Sequence, residues 1–360
     1  MATYKSIKYI IPTEAVEHTD SINALADVNT TTVAPSVGQT LKWSAANSRW
    51  QPADIEEAAA TTTQKAIFAF GYSYPAGRTN VTNLVSSAGV VATDTNTSAT
   101  AKLSPSAAGY GGDKAIFSFG AISGTNDTAT NLLSNTGVMS SDVTGVGTVR
   151  TYTSAAGFGG DKAIFGFGID SGFHSITNLV SNAGVVASDT TGVGTARCQA
   201  AAAGYGGDKA LFGFGTPDFT DGDLSITNLV SNTGVVATDT AGVSGVKPRR
   251  ELAAAGYGGD KAIFGFGYAQ HTYGYYQSYF NLTNLVSNTG VVASDTTGVG
   301  TGRNRLAAAG YGGDKAIFGF GRSTTNTTNL VSNTGVVSSN QTGVGTARES
   351  VSAAGYSSTA

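Results

Sequence analysis

The stretch GYGGDKAIFGFG at 256–267 reads as a strand end, a tight turn and a second strand. Gly-Gly-Asp is typical of a turn, and KAIFGFG alternates larger and smaller side chains as a strand does. The chain repeats this pattern. It is intact at 310–321, has one change at 204–215, is closely similar at 109–120 and 157–168, and is degenerate at 61–71. The sequence therefore predicts six copies of one β-hairpin.

The copies are evenly spaced. The KAIF or KALF motif begins at Lys65, Lys114, Lys162, Lys209, Lys261 and Lys315, at intervals of 49, 48, 47, 52 and 54 residues. A period near 50 is typical of propeller blades and of solenoid repeats. We number these copies as repeats 1 to 6.

One repeat, 197–239, indicates which architecture applies. RCQAAAAGY, KALFGFG, SITNLVS and VVATDT predict four short antiparallel strands joined by Gly-containing turns. In KALFGFG we expect Ala210, Phe212 and Phe214 on one face and Leu211 on the other. Four strands and no helix per repeat predict an all-β fold, a six-bladed β-propeller, with the small AAAG strand innermost. A β-helix is the second interpretation.

The two ends of the repeat region complement each other. Repeat 1 lacks a good first strand before Lys65, and RESVSAAGY at 348–356 supplies an extra one. We therefore expect the C-terminal strand to complete the first blade and close the ring, which would remove open strand edges.

The repeat resembles the kelch repeat. Both are near 50 residues long, with a Gly-rich end to the second strand and a long loop after it. FGFG stands where kelch proteins carry a diglycine, and the usual Tyr and Trp are missing from the third and fourth strands. The resemblance covers about 61–360, and it implies architecture rather than activity.

Composition excludes several classes of protein. The 360 residues are 40% hydrophobic and 12% charged, with 49 Gly, a net charge of −3 and one cysteine, Cys198. These values argue against disorder, nucleic acid binding, a disulfide framework and a Cys-rich zinc site. We also expect no membrane insertion, because the chain has no apolar run long enough to span a bilayer and no signal peptide.

The sequence gives no support for an enzyme. The three histidines have no metal-binding spacing, no nucleophile motif is present, and we expect no catalytic residue, metal or cofactor. A glycan-active propeller enzyme is the least favoured alternative, because it would need paired carboxylates in a central pocket. The one acidic cluster, Asp218, Asp221 and Asp223, lies within a single loop.

Comparison of the six copies separates constant turns from variable ones. The GGD and NTG turns hardly change in the later copies, whereas the loops after the second strand and the connections between repeats differ widely. Because strands alternate in direction, both variable sets should emerge at one end of the fold. Variable loops on a fixed scaffold are typical of a binding surface, and drift is the alternative interpretation.

The loop 268–282 is the most aromatic of the variable loops. Tyrosine is favoured at interfaces and can stack on sugar faces. The candidate ligand-binding residues, here and in the loops 169–176 and 216–226, are Tyr268, His271, Tyr273, Tyr275, Tyr276, Tyr279, Phe173, His174 and Phe219. Their ligand could be a host receptor or a neighbouring subunit.

Each connection between repeats carries a base at its end and, in all but one case, an acid at its start. The bases are Lys102, Arg150, Arg197, Arg249, Arg303 and Arg348; the opposite ends carry Asp94, Asp142, Asp189, Asp239, Asp295 and Asn340. We favour a structural clamp in which each base pairs with the acid of its own connection. An exposed anion-binding rim is the alternative.

Residues 1–60 lack the repeat. GQTLKWSAANSRWQPAD at 38–54 reads as a hairpin and contains both tryptophans, Trp43 and Trp50. It resembles a segment of tail-fibre and other virion proteins of tailed bacteriophages. The resemblance implies that 1–60 attaches the chain to other virion proteins, often as a trimer, while 61–360 meets the host.

These resemblances lead to a functional prediction. We expect a virion protein, made in the host cytoplasm and located in the tail rather than the head. Its variable loops would bind a receptor on the host surface, a glycan or a protein. The alternative is a head-decoration or tail-adaptor subunit that contacts other virion proteins.

Overall fold

A computed structural model describes residues 39–44, 48–54, 64–220, 222–270, 277–323 and 325–359. These residues form strands, turns and loops, with no helix among them, so the predicted all-β class is confirmed. The chain divides into two parts, Met1–Ala59 and Ala60–Ala360. Most of the predicted attachment region, 1–38, 45–47 and 55–60, lies outside the described residues.

The strands are short, mostly of two to six residues. In chain order they are β1 (Gln39–Ser44), β2 (Arg49–Asp54), β3 (Lys65–Ala69), β4 (Tyr72–Ser73), β5 (Gly77–Arg78), β6 (Val81–Val85), β7 (Thr95–Asn96), β8 (Ser106–Tyr110), β9 (Lys114–Ser118), β10 (Ala121–Ile122), β11 (Thr125–Asn126), β12 (Asn131–Leu133), β13 (Ser154–Phe158), β14 (Lys162–Gly166), β15 (Thr177–Val180), β16 (Ala201–Tyr205), β17 (Lys209–Gly213), β18 (Thr227–Val230), β19 (Ala253–Tyr257), β20 (Lys261–Gly265), β21 (Tyr268–Gln270), β22 (Gln277–Tyr279), β23 (Thr283–Val286), β24 (Ala307–Tyr311), β25 (Lys315–Gly319), β26 (Thr328–Val331) and β27 (Ser352–Tyr356).

The N-terminal part contains the predicted hairpin. Strands β1 and β2 are antiparallel, and Trp43 pairs with Trp50 in their register. This confirms the hairpin in 38–54.

Each repeat forms one main antiparallel sheet, and three two-stranded sheets, β4-β5, β10-β11 and β21-β22, lie in loops after the second strand. Five sheets have the orders β8-β9-β12, β13-β14-β15, β16-β17-β18, β19-β20-β23 and β24-β25-β26, and the sixth is β27-β3-β6-β7. The turn between the first two strands needs glycine. In repeat 4, Gly206 and Gly207 have φ of +61° and +80°, a region that residues with a Cβ avoid.

The predicted fourth strand is largely wrong. In repeat 4 it makes only two bridges to β18, Val230 with Val236 and Thr227 with Thr240. Between these two bridges the chain advances three residues on β18 and four residues on the outer segment. The outer segment therefore has one extra residue, which forms a β-bulge. Asn228 fills the gap, because its Nδ2 donates to the carbonyl oxygen of Ala237 at 3.0 Å.

The first strands of the sheets lie side by side. β13, β16, β19 and β24 follow one another, and β27 lies beside both β24 and β8. They approach closely because they are built from Ala and Gly: a Cβ added at Gly204 would lie 3.3 Å from the carbonyl oxygen of Gly157. A backbone bond from the Gly206 N–H to the Asp260 oxygen, 2.7 Å long, also joins neighbouring repeats.

The predicted facing of the second strand is wrong at one residue. Phe212 packs with repeat 3, whereas Phe214 and Leu211 pack with repeat 5. The alternation ends because Phe214 is left-handed, with φ of +65°. The equivalent phenylalanine of every repeat shares this conformation: Phe70, Phe119, Phe167, Phe266 and Phe320.

The core lies between consecutive sheets. Phe214 meets Phe264 of the next repeat edge-on, with centroids 5.0 Å apart, and five similar pairs join the other neighbours. Gly213 leaves room for this ring, because a Cβ there would lie 2.7 Å from Phe264 Cζ. Bulky and small faces therefore meet between repeats.

Candidate functional site

The two variable sets of segments lie together. Arg250, in the connection between repeats, bridges Tyr268 in the loop after the second strand, and Cys198 bridges Thr216 in the same way. At the other end of the sheet, the Asn232 side chain donates to Asp208 at 3.0 Å, which joins the NTG and GGD turns. This grouping agrees with the expectation from strand direction.

A row of rings and guanidinium groups crosses the variable end. We call it the aromatic ridge; its members are Phe173, Phe219, Arg250, Tyr268, Tyr279 and Arg322. The Phe173 and Phe219 centroids are 5.3 Å apart, and those of Tyr268 and Tyr279 are 6.0 Å apart. The Arg250 guanidinium lies 5.9 Å from the Phe219 centroid and 5.1 Å from that of Tyr268. Four consecutive repeats thus contribute to one surface.

Arg250 fixes the middle of the aromatic ridge. Its side chain is buried, and it donates to Gln270 Oε1 at 2.5 Å and to the Asp218 carbonyl oxygen at 3.1 Å. It also pairs with Asp223 at 3.3 Å. These contacts tie the loop 216–226 to β21, so the rings on either side of Arg250 are held in place.

Two of the ridge rings are accessible. Phe219 is 46% exposed and Tyr279 is 39% exposed, whereas Tyr268 is buried and serves as a support. At the end of the row, the Arg322 guanidinium lies 5.6 Å from the Tyr279 centroid. The structure therefore brings together Phe173, Phe219, Tyr268 and Tyr279 of the predicted site. The predicted His271, Tyr273, Tyr275 and Tyr276 lie outside the described residues.

His174 is engaged within its own loop. Its Nε2 lies 2.8 Å from Asp170 Oδ1, which also accepts the Gly172 N–H. The hydrogen bond from Gly172 and the pairing with His174 lower the pKa of Asp170 to about 2. The pair shapes the loop that carries Phe173.

The six predicted bases are buried clamps. Arg197 is fully buried, and it donates from Nε to the Phe214 carbonyl oxygen and from Nη2 to Asn228 Oδ1, both at 2.8 Å. Its guanidinium lies 4.0 Å from the Phe167 centroid. Burial lowers the pKa of Arg197 to about 10, which leaves it charged at neutral pH. An exposed anion-binding rim of these residues is wrong.

The partner acid of each clamp differs from the prediction. Arg197 Nη1 lies 3.9 Å from Asp239, not from Asp189 of its own connection, and Asp189 faces Arg150 instead. The connection carries the chain from one sheet to the next. Its two ends therefore belong to different sheets, and each base pairs across the sheet it enters.

Sequence reasoning missed the residues that surround a cavity at the variable end. They lie two positions after each clamp base, and we call them the collar: Ser104, Tyr152, Gln199, Glu251, Arg305 and Ser350. All six have a left-handed backbone conformation, with φ of +49° to +56°, and all six line a cavity of about 100 Å³. The sequence did carry a signal for the collar: its residue type varies strongly between otherwise similar copies, which have S, Y, Q, E, R and S at this position.

The constant end has a larger cavity of about 260 Å³, lined by the GYGGDK segments. Its five lysines each pair with the preceding aspartate, as Lys209 does with Asp208 at 2.8 Å. The Asp208 carboxylate also accepts the NTG asparagine. These charged side chains therefore stabilise the turns.

The acidic cluster of the loop 216–226 has structural contacts. Asp218 Oδ1 accepts the Thr220 and Gly222 N–H groups at 2.8 and 3.1 Å, Asp223 pairs with Arg250, and Asp221 lies outside the described residues. Among the residues that the structure describes, no group of three His, Cys, Asp or Glu could hold a metal ion. No helix able to cross a membrane occurs there either.

Comparison with known proteins identifies no relative. No protein-family model matches the chain, and no curated protein matches it.

Proposed function

We propose that 61–360 form a closed, six-bladed, kelch-like β-propeller. Three contacts of the C-terminal segment with the sheets of repeats 1 and 2 support this. β27 pairs with β3 from Ser352–Ala69 to Tyr356–Lys65. Arg348 clamps the same sheet through Asn83, and β27 also lies beside β8.

We propose that this propeller is the receptor-binding part of a tailed-phage adhesin, and that the aromatic ridge binds a glycan of the host surface. The observation that carries the proposal is the pair of exposed rings, Phe219 and Tyr279, held by guanidinium contacts on loops that differ between repeats. Flat rings stack on the apolar faces of sugars, while the Tyr279 hydroxyl and the Arg322 guanidinium offer hydrogen bonds.

The setting in a virion follows from the resemblance of 38–54 to tail-fibre segments. Residues 1–60 would attach the chain to other virion proteins, as a homo-oligomer for which a trimer is the expected form. The chain would be made in the host cytoplasm and carried in the tail. In the alternative role, head decoration or tail adaptation, the same ridge would contact another virion protein.

Binding of the full chain to an array of bacterial surface polysaccharides tests the proposal. We expect saturable binding to at least one polysaccharide, and about a tenfold loss of affinity in each of Phe219→Ala and Tyr279→Ala. Tyr74→Ala is the matched control, because Tyr74 is 77% exposed in a variable loop of repeat 1, outside the ridge. It should bind as the parent chain does.

Two results would contradict the proposal. If the chain bound none of the polysaccharides and instead bound isolated virion proteins, the structural role would be favoured. Equal losses in the Tyr74→Ala and Tyr279→Ala variants would remove the ridge from the interaction. Release of reducing ends from a bound polysaccharide would instead indicate a glycan-active enzyme.

A further inference from the structure

The collar combines uniformity of backbone with diversity of side chains. A left-handed conformation is strained for a residue other than glycine, yet none of the six positions is glycine. Backbone bonds hold the ring: the Glu251 N–H donates to the Gln199 oxygen and the Arg305 N–H to the Glu251 oxygen, both at 3.0 Å. Strain kept at six positions with unlike side chains is a feature of functional sites.

Glu251 organises one side of the cavity. Gln199 Nε2 donates to Glu251 Oε1 at 2.7 Å, while Asn304 Nδ2 and Arg305 Nε donate to Oε2 at 2.5 and 3.1 Å. Burial raises the pKa of Glu251, and the Arg305 charge and these donors oppose the rise. Because donors occupy both of its oxygens, the carboxylate acts there as an acceptor.

The wall of the cavity has an unpaired acceptor. Gln199 is 8% exposed and lines the cavity, and its Oε1 has no hydrogen-bond partner among the described residues. Its amide orientation is fixed, since only the NH₂ group can donate to Glu251. A buried carbonyl oxygen without a partner is destabilising, and a donor from a ligand would remove that cost.

Two carboxyl groups beside the cavity share one base. Glu251 and Glu349 share the one guanidinium of Arg305, which donates from Nη1 to Glu349 Oε1 at 2.7 Å. Arg250, whose charge also acts on Glu251, forms a pair with Asp223. Burial and the Glu251 charge raise the pKa of Tyr152, and burial raises that of Cys198 to about 12, so both are neutral. A cation is therefore favoured beside these two carboxyl groups, which have one guanidinium between them.

We infer that the collar cavity binds the primary ammonium group of a small organic amine. The ammonium carries only donors, so it can satisfy Gln199 Oε1, and its charge is favoured beside Glu251 and Glu349. A volume of about 100 Å³ holds a head group of a few heavy atoms, since a water takes about 30 Å³ of liquid. This inference is independent of glycan binding at the aromatic ridge.

Calorimetric titration of the full chain at pH 7 tests it with a matched pair of probes. Ethanolammonium and ethylene glycol differ only in replacing an ammonium by a hydroxyl. We expect saturable binding of ethanolammonium and at least about tenfold weaker binding of the glycol. Gln199→Leu, which removes the unpaired oxygen, should weaken the binding of ethanolammonium by about tenfold.

Two further variants keep the test decisive. Glu349→Gln removes one carboxylate without touching Gln199 and should weaken the binding of ethanolammonium severalfold, which covers the case in which Gln199→Leu does not fold. Asp170→Asn, at the same end but outside the collar, should change nothing. No binding of ethanolammonium, equal binding of both probes, or parent-like affinity in a folded Gln199→Leu or Glu349→Gln variant would overturn the inference.

Discussion

Arg348 donates from Nε to the carbonyl oxygen of Phe70 at 2.8 Å, across 278 residues of sequence. Arg197 makes the same bond to Phe214 across 17 residues. The arginine clamp is therefore one local device, used four times within a repeat and once between the two ends of the repeat region.

Replacing this clamp should destabilise the first sheet. Arg348→Ala leaves the Phe70 oxygen and Asn83 Oδ1 without their buried donor, and we expect the free energy of unfolding to fall by about 3 kcal/mol. Denaturant unfolding would measure the change. Arg348→Lys is the control, because Lys102 fills the equivalent position and reaches Asn131 Oδ1 at 2.6 Å. A loss as large for Lys as for Ala would contradict this account.

The contact between sheets depends on a missing side chain. Gly213→Val places atoms against Phe264, whose Cζ would lie 2.7 Å from the new Cβ, and we expect a loss of about 2 kcal/mol. Gly172→Val is the control, since nothing lies within 4 Å of a Cβ there. Thermal unfolding of both variants would decide, and equal melting temperatures would show that the sheets separate easily.

The clamp acids should make the fold sensitive to low pH. Burial raises the pKa of Asp189, but hydrogen bonds from Thr148 and Asn178 and the charge of Arg150 outweigh it, so the pKa lies below 3.8. A lowered pKa stabilises the folded state above the unfolded value, and this contribution disappears as the pH falls through the folded value. Asp189→Asn should therefore lower the melting temperature at pH 7. Below the folded-state pKa of Asp189, where the parent carboxyl group is protonated, parent and variant should melt at nearly the same temperature.

Repeat 6 offers the reciprocal control for that experiment. Asn340 occupies the acid position there and accepts Asn329 Nδ2 at 3.1 Å. Asn340→Asp, beside Arg303, should raise the melting temperature at neutral pH and steepen its decline in acid. If the melting temperatures of the parent and both variants fell in parallel as the pH is lowered, these acids would not account for acid unfolding.

Cys198 should report on opening of the fold. Its thiol is fully buried, and burial raises its pKa to about 12, so little thiolate forms and reagents have no access. We expect a thiol reagent to label the native chain at least a hundredfold more slowly than the unfolded chain. Ser171→Cys supplies an exposed thiol as the positive control. Rapid native labelling at Cys198 would mean that repeat 4 opens on its own.

Local patterns predicted the framework well. The Gly-Gly-Asp turn and the alternation from Lys209 to Phe212 depend on a few neighbouring residues, and both are as expected. The conformation of Phe214 could not be predicted, because Phe rarely adopts positive φ. It depends on Arg197, which binds the Phe214 carbonyl oxygen, and on Phe264 of the next repeat.

The candidate site was predictable only where its residues share a loop. Tyr268 and Tyr279 were identified from the density of rings around them, but the joining role of Arg250 was not visible, since its partners lie 20 and 32 residues away. The collar was missed for a different reason. Its residues look like ordinary linker positions until the backbone shows all six of them around one cavity.

The pairing of β27 with β3 has a consequence for synthesis on the ribosome. β3 is translated nearly 300 residues before its partner, and at 5–20 residues per second this delay is about 15–60 s. Throughout that time the nascent strand Lys65–Ala69 presents an apolar edge with nothing to pair with. Rapid translation or a chaperone that shields this edge should therefore raise the yield of folded protein, while folding within repeats 2 to 6 can proceed as they emerge.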